Sequence, residues 1–224
     1  MATLRENAEI ITGRIGKLIG RTGVSPNLFS ALAFVPAAVA VYLMNTGQQW
    51  PAFVFLFFAV IWDSIDGSVA RAQNRVTKFG YYIEAVIDKW AEVIMLLGFF
   101  LLGYKLEAFI VISGSLVLSY AKPRAAMVVD IGEFDWSTHG SRHERLLLLL
   151  VTYLISILLP VFTIAETQFD TISVGLYLIA ALVFVGSIQR NHMAKKLIAA
   201  GGYKKMGIKS RMDDFVYEDE KSNG

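Results

Sequence analysis

No cysteine occurs among the 224 residues, which excludes a disulfide framework and any thiolate metal site. A bound metal would have to take oxygen or imidazole ligands, a preference that favours hard cations. Charge is scarce as well. Asp, Glu, Lys and Arg make up 18% of the chain against 55% hydrophobic residues, and the net charge is only +2. So small an excess gives no electrostatic footprint for nucleic acid, and a mean hydropathy of +0.51 is too apolar for an ordinary soluble domain. The start lacks the charged n-region, short apolar h-region and A-x-A site of a cleavable signal, so the N-terminus is expected to be mature. The chain also lacks an internal repeat of about 20 to 50 residues, which removes support for solenoids and duplicated transporters. What remains is an all-α integral membrane protein.

A spanning helix needs roughly 20 apolar residues. Windows of that kind fall near 28–45, 51–73, 79–103, 106–127, 145–166 and 171–193, predicting six transmembrane helices in a domain over 23–200. Gly23-Val24-Ser25-Pro26, Asn45-Thr46-Gly47, Gly103 and the polar run 130–141 supply the breaks, and Pro123 is expected to interrupt the fourth helix near its charged end. Ahead of the domain, residues 1–22 set Leu4, Ile11, Ile15, Leu18 and Ile19 at helical spacing, with Arg5, Arg14 and Lys17 on other faces. That is the pattern of an amphipathic helix lying in the membrane interface or packed on the protein's own surface. Residues 201–224 are expected to form a poorly ordered tail. Trp50, Trp62 and Trp90 near helix ends suit interfacial anchoring.

Lys and Arg concentrate in the N-terminal segment, beside the second connection (Arg75, Lys78), in the fourth (Arg142, Arg145) and in the tail. The other connections carry only Lys105. The positive-inside rule then puts both termini, and the ends of the second and third helices that meet at residues 73–78, in the cytoplasm of a cell-membrane protein.

Those two helix ends carry Asp63, Asp66, Glu84 and Asp88 inside otherwise apolar runs. A charge at membrane depth costs about 2.5 kcal/mol or more, so clustered carboxylates need a counter-charge and a purpose. Asp63, Asp66, Gly67 and Ala70 follow i, i+3, i+4, i+7 spacing on one helical face, while Gly80, Glu84 and Asp88 stand one turn apart on the next helix. Around Mg²⁺, Mn²⁺ or Ca²⁺ such carboxylates give an oxygen cage. The small residues beside them clear space for a bulky substrate, although small residues at this spacing serve close helix packing equally well. Arg71, at the mouth of the face, suits a phosphate, or pairing with one of the acids. Oxygen-bound divalent metals beside an arginine fit phosphoryl chemistry.

The run D-x-x-D-G-x-x-A-R, eight residues, G-x-x-x-D-x-x-x-D resembles the signature of the CDP-alcohol phosphotransferases. Asp63, Asp66, Gly67, Ala70, Arg71, Gly80 and Asp88 stand at matching positions, and Glu84 stands where the family has its third aspartate. Over about residues 20–195 the chain looks most like phosphatidylinositol phosphate and archaetidylinositol phosphate synthases. The stretches that carry this are Ser119-Tyr120-Ala121-Lys122-Pro123-Arg124-Ala125, Arg142-His143-Glu144-Arg145-Leu146 and Gln189-Arg190-Asn191-His192.

The resemblance implies transfer of a lipid phosphate from CDP-diacylglycerol or CDP-archaeol to an alcohol, most simply inositol phosphate, with release of CMP. It implies two divalent cations, Mg²⁺ or Mn²⁺ with Ca²⁺ as an occupant or inhibitor, held by Asp63, Asp66, Glu84 and Asp88, with Asp88 also the general base. Asp63, Gly67, Ala70, Arg71, Thr77 and Gly80 would meet the CDP-lipid, and Pro26 and Asn27 would border the cytidine. Lys122, Arg145 and Arg190 would bind the acceptor's phosphate, with Arg124 and Arg142 in the same stretches joining them. Snorkelling to lipid headgroups is the plainer role for each such cation.

Glycerol 3-phosphate and serine are the alternative acceptors, and the cationic set speaks against serine. A divalent-cation transporter is the reading from another class, since intramembrane acids also mark ion paths. Gly98, Gly103, Gly114 and Ser115 suit a homodimer or packing within one subunit. His139, His143 and His192, in or beside polar segments, suit surface or phosphate-adjacent positions better than metal ligation.

Overall fold

The computed structural model describes residues 25–72, 77–129 and 138–199; the expected interfacial helix (1–22) and the tail (201–224) lie outside the described residues. The described chain is a helical bundle whose connections are short because each helix ends on a local stop signal. Ser25 caps α1 (Pro26–Ala31), its Oγ accepting from the Leu28 N–H at 3.3 Å, with Pro26 pre-set for the first turn. The helix breaks at Leu32-Ala33 and resumes as α2 (Phe34–Asn45). Pro36 explains the break, because it has no N–H to give to the Leu32 carbonyl one turn back. Gly47, at φ +78°, turns the chain into α3 (Gln49–Ala72). Thr77 opens α4 (Lys78–Leu101) by accepting the Gly80 N–H at 2.9 Å, and Gly103 at φ +111° closes the turn to α5 (Lys105–Val128). Helix α5 runs through Pro123 without a break; the lost backbone bond is tolerated in the last turns of a long helix.

Ser141 caps α6 (Arg142–Leu158) in a reciprocal box: its Oγ accepts the Glu144 N–H at 3.4 Å and Glu144 Oε2 accepts the Ser141 N–H at 2.8 Å. The apolar window expected to run to 166 stops earlier. Pro160 cannot continue a helix and biases Leu159 out of the α region, and the chain instead forms a hairpin, β1 (Val161–Ile164) with β2 (Thr167–Asp170). The strands pair antiparallel from Val161↔Asp170 to Ile164↔Thr167. The final helix is α7 (Thr171–Ala199).

The core lies where α2, α3, α4, α5, α6 and α7 meet. Ala37, Ala40 and Met44 of α2 pack with Leu56 of α3 and Met95 and Phe99 of α4, while Leu118, Leu149, Ile179 and Val183 fill the space among α5, α6 and α7. Phe99 meets Tyr153 edge to face at 5.8 Å. Two of the small residues pack inside this subunit: a Cβ on Gly98 would lie 3.1 Å from Met44 and Val41, and one on Gly114 would lie 2.8 Å from Val183. Phe58, Phe109, Leu147 and Phe184 point outward, the apolar exterior expected of a bundle surrounded by lipid. Trp50 and Trp90 are exposed. Trp62 differs from the anchoring role expected of it: it stacks on Phe29 at 4.7 Å and donates to the Phe29 carbonyl at 2.9 Å, stapling α1 to α3 next to Asp63.

Among the described residues, three helical stretches are long and apolar enough to cross a membrane: Leu28–Asn45, Lys105–Val128 and Thr171–Ala199. The hairpin shares one end of the bundle with the turns after α2 and α4. There Tyr104 donates to Asp170 Oδ2 at 2.9 Å, Asp170 Oδ1 caps the Ser173 N–H at 2.9 Å, and Ser173 donates to Glu107 at 2.8 Å. Burial, then the bond to Asp170, pushes the Tyr104 phenol up to about 12.

Candidate active site

At the end of the bundle opposite the hairpin, the expected site residues arrive from α1, α3, α4, α5, α6 and α7. Asp63, Asp66, Gly67, Ala70 and Arg71 lie on the last turns of α3, and Pro26 and Asn27 on the first turn of α1; the side chains at these positions lie outside the described residues. Thr77 and Gly80 form the cap that starts α4, so the expected CDP-lipid contacts there are also the groups that fix the helix's origin. Glu84 and Asp88 follow one turn apart, both partly exposed. Their oxygens, with no softer donor beside them in the helix, suit a hard divalent cation.

Asp88 meets α6. Arg142 Nη1 is 2.9 Å from Asp88 Oδ2, and its Nη2 donates to the Asp88 carbonyl at 3.1 Å. One further turn along α4, Glu92 is buried at 2% exposure and Arg145 at 3%. Arg145 donates from Nε to Glu92 Oε1 at 2.8 Å and from Nη2 to Oε2 at 2.9 Å, while Lys89 Nζ reaches Oε2 at 2.8 Å. The structure therefore commits Arg145, expected on the acceptor's phosphate, to a bidentate ion pair. Glu92 and Lys89 are charged neighbours of Asp88 on α4 that the spacing argument missed; continuing the i, i+4 step from Glu84 through Asp88 reaches Glu92.

The other cations separate into two groups. Lys122 and Arg124 are exposed near the end of α5, and Arg124 extends its Nη1 to Met127 Sδ at 3.8 Å. Arg190 of α7 donates to Thr138 Oγ1 at 3.0 Å and to the Leu118 carbonyl at 2.6 Å, and Gln189 accepts the His139 N–H at 3.0 Å. Around them is a cavity of about 730 Å³ lined by Thr138, His139, Ser141, Glu144, Gln189, Arg190, His192, Met193 and Lys196. It is open and cationic on its α7 side, a setting for an anionic group. His139 and His192 are on its wall, and no cluster of three or more His, Asp or Glu side chains arranged to hold a metal occurs among the described residues.

Known proteins share this architecture. An archaetidylinositol phosphate synthase of Pyrococcus horikoshii is 28% identical over 196 residues, 84% of this chain and 93% of that protein. A phosphatidylinositol phosphate synthase of Mycolicibacterium smegmatis is 29% identical over 194 residues, 81% of this chain and 82% of that one. The crystal structure of the Mycobacterium tuberculosis phosphatidylinositol phosphate synthase with CDP-DAG bound superposes with a TM-score of 0.68 at 24% identity, covering 88% of this chain and 99% of that one. The same enzyme in complex with manganese and citrate superposes with a TM-score of 0.66, also at 24% identity, over 88% and 94%. Residues 24–188 match the CDP-alcohol phosphatidyltransferase family, and with its apolar bundle and the acids of α3 and α4 in their signature positions the chain belongs to that family, as a multi-pass membrane transferase.

Proposed function

We propose that the chain transfers the lipid phosphate of a CDP-linked lipid to inositol phosphate, releasing CMP, at the cytoplasmic face of the cell membrane. The observation that carries this reading is the pairing of Asp88 with Arg142 of α6 at the end of the bundle where Arg190 and Lys196 of α7 line an open cavity, together with relatives named for inositol phosphate products. In this reading α1 and α2 form one span and α3 to α7 the other five, with residues 1–22 lying in the interface and 201–224 in the cytoplasm.

Asp63, Asp66, Glu84 and Asp88 would hold two divalent cations, Mg²⁺ or Mn²⁺. Such ions, when bound, neutralise charge on the diphosphate and on the departing CMP. Gly67, Ala70, Arg71, Thr77 and Gly80, with Pro26 and Asn27, receive the CDP moiety, leaving the lipid tails to exit sideways. Arg142, Arg190, Lys122 and Arg124 supply cations to the acceptor's phosphate, and Arg145 stands behind them. Asp88 takes the proton from the acceptor hydroxyl as its oxygen bonds to the lipid-bearing phosphorus and the bond to CMP breaks. The basic lining favours a phosphorylated acceptor over serine, because an uncharged hydroxyl acceptor leaves those cations without a partner.

Purified protein given CDP-diacylglycerol or CDP-archaeol, Mn²⁺ or Mg²⁺, and in turn inositol phosphate, glycerol 3-phosphate or serine should release CMP fastest with inositol phosphate. Faster release with glycerol 3-phosphate would move the assignment to phosphatidylglycerol phosphate synthesis. No release with any acceptor would end the reading.

A further inference from the structure

Glu92 stands outside the family signature, yet it is among the most deeply buried charges described, at 2% exposure. A carboxylate taken so far from water persists only where its oxygens are fully partnered. Arg145 grips both oxygens at 2.8 and 2.9 Å and Lys89 adds a third donor at 2.8 Å. The remaining Arg145 nitrogen, Nη1, donates to the Gly140 carbonyl. Gly140 is at φ +76°, with the Leu182 carbonyl 2.9 Å and Leu118 Cδ2 3.3 Å from where a Cβ would stand, so α5 and α7 confine the same peptide that Arg145 holds. The next residue caps α6, and the one after it is Arg142, 2.9 Å from Asp88.

Two rungs thus join α4 to α6. The Glu92–Arg145 rung is dry, both side chains 3% exposed, whereas in the Arg142–Asp88 rung they are 13% and 20% exposed. A bidentate fork fixes direction as well as distance, so the dry rung sets the rotation and depth of the first turn of α6, and that turn carries Arg142. The accessible rung is the one that substrates can reach.

We propose that Glu92 is a positioning residue for the transfer: through Arg145 and Gly140 it holds the start of α6 so that Arg142 stays against Asp88. Glu92 itself touches no reactant. The inference rests on the reading of Asp88 and Arg142 as members of the site, and it removes Arg145 from the residues that meet the acceptor.

Two measurements test it. The first needs no turnover: thermal stability of the substrate-free protein in a cycle of Asp88→Asn, Glu92→Gln and the double variant. If Glu92 places Arg142, the two changes are non-additive, because breaking the dry rung already loosens the pair that Asp88→Asn removes; additive effects overturn the proposal. The second is kinetic. Glu92→Gln, or the milder Arg145→Lys should the first fold poorly, is expected to change the acceptor's kcat/KM by about tenfold, the scale of one charge-assisted hydrogen bond, with KM for the CDP-lipid unchanged. Equal losses toward both substrates, or no loss, would reduce Glu92 to a packing residue. Should the unaltered protein release no CMP at all, the functional reading falls, while the stability cycle still decides whether Glu92 places Arg142.

Discussion

Glu84 carries one methylene more than the aspartate of the family signature, so its oxygens reach further from α4, and in the proposed site a cation held there would have to shift or the helices part slightly. Mg²⁺, which demands near-ideal octahedral geometry, would feel this more than Mn²⁺. Glu84→Asp is therefore expected to preserve or raise CMP release, with the larger gain in Mg²⁺; complete loss in both metals would show that Glu84 has another role. Tyr104, at the far end, tests stability rather than chemistry. Its pKa is raised from 10.0 to about 12, so folding favours the neutral phenol. The contribution is fully present below pH 10 and is lost as pH rises through about 12. Tyr104→Phe should lower the unfolding temperature by the equivalent of about 1.5 kcal/mol, a hydrogen bond to a carboxylate, and should remove that alkaline loss; an unchanged melting profile from neutral to high pH would contradict it. At this scale the carboxylates were legible because a charge in an apolar run is costly and therefore conspicuous. Their partners were not: Arg145 and Glu92 are 53 residues apart, and spacing along the chain cannot say which of several cations at helix ends turns inward to which acid.

Helix starts were written plainly in Ser25-Pro26, in Thr77 and in Ser141 followed three residues later by Glu144, because a cap is a local bargain between a side chain and the next turn. The hairpin was not. A window that averages apolarity reads the residues from Val161 to Glu166 as more helix, although Pro160 and the two-residue spacing of Phe162 and Ile164 pointed to a strand. Hairpin closure falls to Ala165 and Glu166, at φ +47° and +69°, in the left-handed region that costs an L-residue about 1–2 kcal/mol. A two-residue turn of this hand prefers Asn-Gly. Replacing Ala165→Asn and Glu166→Gly together should raise thermal stability by about 1 kcal/mol while leaving CMP release unchanged, since the hairpin is at the end away from Asp88. A fall in stability would mean that the turn is held by something other than its own backbone.

Across the whole molecule, the order of the long helices was legible from apolar windows, and among the described residues the stretches in α1–α2, α5 and α7 are long and apolar enough to be spans. Helix α6 falls short because it has 17 residues, and α4 because it carries Glu84, Asp88, Lys89 and Glu92 within its apolar run. The proposed orientation rests on an asymmetry of charge. In the connections at the hairpin end, Lys and Arg are represented by Lys105 alone, whereas Arg142, Arg145, Lys195 and Lys196 gather at the other, the distribution that the positive-inside rule expects of a cytoplasmic site. With no native cysteine, single thiols report this without background. In intact cells a membrane-impermeant maleimide should label Glu166→Cys in the hairpin turn and spare Lys195→Cys on α7, which becomes reactive only once the membrane is opened. Labelling of Lys195→Cys in sealed cells, with Glu166→Cys protected, would invert the bundle and place the site away from cytoplasmic CDP-lipid and CMP.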